Sequence, residues 1–80
     1  MSSINNIKRE LRLYGMREAY TQSGANIIYC GTIAIRIIND YTVETWTSSE
    51  TNSGTINIYD SIEQRNEAIL EMGLSGLQVL

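Results

Sequence analysis

Glu63, Glu67 and Glu71 recur every four residues in the last quarter of this 80-residue chain. On a helix that spacing stacks them along one face. A carboxylate row can supply acid/base pairs or it can hold cations of another molecule. Glu44, Glu50, Asp60 and Glu63 are the right residue types for a general acid and base, but glycosidase-type sites need a substrate cleft that so small a domain rarely builds. Cys30 is the sole cysteine and the chain has no histidine, so the thiol lacks a base to activate it. The same composition excludes an intramolecular disulfide, a Cys/His zinc site and an imidazole-based triad. Gly24 and Gly54 belong to no phosphate-cradling pattern. We therefore expect a non-enzyme with no metal and no cofactor, in which carboxylates serve binding.

Charge is unevenly distributed. Lys8, Arg9, Arg12 and Arg17 outweigh Glu10 and Glu18 in the first 20 residues, whereas Asp40, Glu44, Glu50, Asp60, Glu63, Glu67 and Glu71 face Arg65 alone after residue 39, and the chain totals -3. A net negative chain has little general affinity for phosphate backbones, so direct nucleic-acid binding is not expected, although the basic first segment with Tyr14 or Tyr20 is the place where it would reside. Trp46, flanked on its own strand face by Glu44 and Ser48, is a candidate binding anchor. The candidate partner-binding set is therefore Glu44, Trp46, Glu50, Asp60, Glu63, Glu67 and Glu71.

The elements that must position these residues follow from periodicity. Ser2 and Ser3 are N-cap candidates, and Ile4, Ile7, Leu11 and Tyr14 share one helical face. This predicts a first helix that ends near Gly15 or continues to Tyr20. Turn composition over 22–26 precedes a β-branched run, Ile27 to Ile38, with Gly31 as a bulge or break. Ile33, Ile35 and Ile37 alternate with Ala34, Arg36 and Ile38, which predicts that the isoleucine row faces the helices. Asn39 and Asp40 turn the chain into a strand over Tyr41 to Thr47, and a polar loop, Ser48 to Gly54, leads to a third strand, Thr55 to Tyr59. Asp60 and Ser61, with Glu63 and Gln64 following, open a second helix that ends at Gly73. The expectation is one α+β domain spanning 1–80: an N-terminal helix, a three-stranded antiparallel meander, and a C-terminal helix packed on one face of the sheet. Leu74, Leu77, Val79 and Leu80 are too apolar for a free tail and predict packing on the body or a homodimer contact.

The Ile4 to Leu11 helix, the Ile33 to Trp46 hairpin and the acidic run from Glu44 to Glu71 together resemble small phage-encoded inhibitors, particularly compact acidic anti-CRISPR proteins. The resemblance implies inhibition by occupation. Carboxylates would engage the Arg and Lys side chains of a CRISPR effector or another nuclease, in the cytoplasm of the host cell. The alternative is a small self-associating accessory domain that forms a homodimer. No apolar run is long enough to span a membrane and no signal-peptide pattern opens the chain, so a cytoplasmic protein is expected.

Overall fold

The computed structural model describes residues 3–47 and 54–79. The chain is α+β, with the element order α1 (Ile4–Leu13), β1 (Arg17–Tyr20), β2 (Asn26–Cys30), β3 (Ile33–Asn39), β4 (Thr42–Thr47), β5 (Thr55–Ile58) and α2 (Ile62–Gly76). The five strands form one antiparallel sheet in sequence order. Among the described residues no helix is long and apolar enough to cross a membrane.

The expected meander of three strands is thus corrected to five. One added strand comes from residues 17–20, which do not extend the first helix. Ser3 accepts from the Asn6 amide to start α1, and Gly15 at φ +106° takes the chain out of helical geometry after Leu13; that conformation is open to glycine and costly for other residues. Arg17 to Tyr20 then pairs with Tyr29 to Asn26. The second added strand arises because the run 27–38 is two strands. Gly31 and Thr32 make a two-residue connection between Cys30 and Ile33, which are themselves register partners, and such short links are the preferred hairpin turns.

Both helices lie on the same face of the sheet. The core joins Ile7 and Leu11 of α1 and Ile69 of α2 to Ile28, Cys30, Ile35 and Val43 of the strands, with Ile33 and Ile37 packed against it. The isoleucine row therefore faces the helices, as its alternation requires. The helices run in the same direction: Ser3 shares a cavity with the first turn of α2, and Leu11 abuts Gly73. A Cβ at Gly73 would lie 2.6 Å from Leu11 Cδ2, so glycine there permits close helix approach instead of ending the helix. Continuation to Gly76 carries Leu74 and Leu77 onto the chain's own core, leaving Val79 exposed. Leu80 lies outside the described residues.

Candidate functional site

Alternation in each strand leaves a second sheet face that no described helix covers. The register rows on that face are Arg17, Tyr29, Ala34 and Trp46, then Ala19, Ile27, Arg36, Glu44 and Ile56, with Thr42 and Ile58 beyond. The candidate residues consequently divide between two surfaces. Glu44 and Trp46 stand on the uncovered sheet face, whereas Glu63, Glu67 and Glu71 are exposed along α2, with Asp60 exposed just before its N-cap, in the helical layer of the two-layer domain. Glu50 lies outside the described residues. The structure does not gather the seven into one acidic patch.

The α2 stripe is built by local chemistry. Ser61 accepts from the Gln64 amide at 3.1 Å, and Gln64 Oε1 accepts from the Asp60 amide at 3.1 Å, a reciprocal cap that sets where the helix begins. Glu63 falls in the first turn, where the helix dipole favours a negative charge. Glu67 and Glu71 follow at one-turn steps of about 6 Å along the axis. At the N-terminal end of the stripe a cavity of about 460 Å³ is lined by Tyr41, Asp60, Ile62, Glu63 and Asn66, among others.

Lys8, Arg12, Arg36 and Arg65 are engaged elsewhere. Lys8 Nζ lies 2.7 Å from Glu18 Oε2, and Arg12 joins the same carboxylate at 3.4 Å. Two of the four cations of the basic N-terminal segment are thus held within the fold. These contacts, led by the hydrogen bond from Lys8, hold the Glu18 carboxyl below its ordinary pKa. Arg36 bonds Glu44 through both Nε, at 2.9 Å, and Nη2, at 2.8 Å. Arg65, only 5% exposed, makes no ion pair among the described residues; its guanidinium donates twice to Asn66 Oδ1 and once to the Asn39 carbonyl. The α2 carboxylates have no such partner among the described residues.

Cys30 is fully buried, and desolvation raises its thiol pKa to about 11. It is protonated at neutral pH and turned into the core, not toward a cleft. Among the described residues no group of three or more His, Cys, Asp or Glu could hold a metal ion.

Sequence reasoning missed the uncovered sheet face as a surface. Ile56 and Ile58 are 51% and 76% exposed, and Tyr29 is also exposed. Their alternation was visible, but the side they occupy depends on which face the helices choose. Compared with protein families, curated proteins and solved structures, the chain matches none.

Proposed function

We propose that this chain is a non-enzymatic protein-binding inhibitor, of phage or mobile-element origin, whose acidic α2 face occupies the basic surface of a host nucleic-acid-handling protein such as a CRISPR effector or another nuclease. One observation carries the reading: Asp60, just before α2, and Glu63, Glu67 and Glu71 on it make no ion pair among the described residues, while the ion pairs there involve Glu18 and Glu44. Glu63 and Glu67, and Glu67 and Glu71, repel at four-residue spacing by a few tenths of a kcal/mol per pair. A row of Lys and Arg on a partner relieves that repulsion. Binding then requires charge complementarity and no chemistry, and it weakens as salt screens the exposed charges.

The test is a comparison of the native chain with the triple variant Glu63→Lys, Glu67→Lys, Glu71→Lys. Both are used to capture proteins from the host, and any nucleic-acid-handling protein recovered is purified and titrated directly. The reading expects a salt-sensitive complex with the native chain that is lost with the variant while its circular dichroism is unchanged. Equal affinity of the two proteins for the purified partner overturns it.

A further inference from the structure

We propose that the uncovered sheet face binds a second copy of this chain, sheet against sheet, to form a four-layer α/β/β/α dimer. This inference concerns the side opposite the α2 stripe and does not depend on the inhibitor reading.

The face is apolar where a monomer's surface is ordinarily polar. Ile56, Ile58 and Tyr29 are all more than 40% exposed, and Ile27 and Trp46 are half-buried among them. Large apolar side chains gathered in the open on one face mark an interaction surface. The charges within it are Arg36 and Glu44, one of each sign and already bonded to each other, with Arg17 at the β1 rim. Such a centre offers no excess charge to a strongly acidic or basic partner.

It does match itself. An isologous dimer requires that when one residue meets another, the second also meets the first. A twofold axis running along the strands between β3 and β4 satisfies this row by row. Arg36 is carried over Glu44 of the second copy, since the two are register partners on either side of the axis. The same operation sets Trp46 over Ala34 of the second copy, and Ile56 over Ile27 of the second copy. In the first of these pairs a large side chain meets a small one, which helps facing sheets to interdigitate at about 10 Å separation. The arrangement also keeps both α2 carboxylate rows on the two outer layers, so two chains of charge -3 associate with their acidic helices as far apart as the assembly allows.

Area sets the strength. About this axis β2 to β5 overlap and β1 lies outside, and four strands each about 4.8 Å wide and about six residues long give a plan of roughly 20 by 20 Å per face. With side-chain relief, two faces bury on the order of 1,000 Å² together, the lower bound for a specific interface. A reversible dimer in the micromolar range is therefore expected, not a permanent one.

Sedimentation equilibrium of the full chain across about 1 to 500 μM tests this, a range that brackets micromolar dissociation. The native chain should pass from monomer to dimer. Ile58→Lys, at an exposed site, should weaken association at least tenfold, equivalent to about 1.4 kcal/mol, with an unchanged melting profile. Arg36→Glu and Glu44→Arg should each be monomeric alone because like charges face across the axis, and an equimolar mixture of the two should recover a heterodimer. That recovery distinguishes a charge contact across the axis from damage to either fold. A native chain that stays monomeric throughout, or a dimer indifferent to Ile58→Lys and to the charge variants, overturns the proposal; the second result would assign the association to a strand edge.

Discussion

Lys8 of α1 reaches across to Glu18 of β1 and pairs with it at 2.7 Å, tying the first helix to the edge strand of the sheet. Both side chains are largely shielded, at 12% and 18% exposure, so the pair contributes more than a fully solvated one. Glu18 has its pKa lowered in the folded chain from an ordinary value of 4.5. Its contribution to stability is present above that ordinary value and is lost as pH falls through the lower folded one. Stability should therefore decline on acidification below about pH 4.5, with Glu18 accounting for part of the decline. Glu18→Gln should leave a shallower acid-induced loss in urea titrations between pH 6 and pH 3. An unchanged pH dependence would assign the acid sensitivity to other carboxylates.

Arg65 packs its guanidinium beneath the β3–β4 turn, donating to the Asn39 carbonyl at 2.8 Å and to Asn66 Oδ1 at 2.7 and 3.1 Å. A buried cation without a carboxylate is tolerated only while its hydrogen bonds are made. Arg65→Ala removes all three of these hydrogen bonds and the buried side chain that makes them, and it should cost about 2–4 kcal/mol. Arg65→Lys should recover only part of this, because an ammonium lacks the planar fork that serves both acceptors. Chemical denaturation of the two variants checks the order; equal stability of Lys and native chains would show that the fork is dispensable.

The parts of this fold that can be read from sequence are those with a strong local period. Ile4, Ile7 and Leu11 mark α1, and alternation through Ile33, Ile35 and Ile37 marks the core row of β3. Residues 17–20 carry no such mark: the one side chain of β1 that faces the helices between Arg17 and Ala19 is Glu18, a charge satisfied by Lys8 from another element. Its partner sits on another element, α1, and a charge at the helix-facing position leaves no apolar alternation to read. Glycine is ambiguous for the same reason. Gly73 has the composition of a helix end, yet Leu11 needs its missing side chain, and α2 passes through. Among the candidate site residues, the four-residue spacing of Glu63, Glu67 and Glu71 is legible because one helix decides it. The separation of Glu44 and Trp46 from that stripe is not, since it depends on both helices choosing the same face.

Cys30 sits where β2 passes beneath α2, with Sγ close to Gly73, and its thiol pKa is raised to about 11 by burial. Thiolate is the reactive form, so both access and ionisation protect it. At pH 8 in the folded chain, modification by a disulfide reagent should be at least about 100-fold slower than in urea, its rate set by opening of the fold. Prompt labelling of the native chain would show that the α2–β2 contact opens readily.

Gly76, near the end of α2, presses against the Cys30 carbonyl, and Thr32 donates its amide to the Gly76 carbonyl at 3.4 Å. A Cβ at position 76 would meet both that carbonyl and the Ile33 side chain, with Ile33 Cβ 3.0 Å away. Helix propensity alone favours alanine over glycine by about 1 kcal/mol. Here the obstruction includes backbone, which cannot rotate aside, and overpacking of this kind costs about 1–3 kcal/mol. Gly76→Ala should therefore destabilise the chain by up to about 2 kcal/mol net of the propensity gain, lowering the melting temperature by up to several degrees for a domain of this size. A melting temperature equal to or above the native value would show that the C-terminal turn of α2 is free to move away from the β2–β3 hairpin.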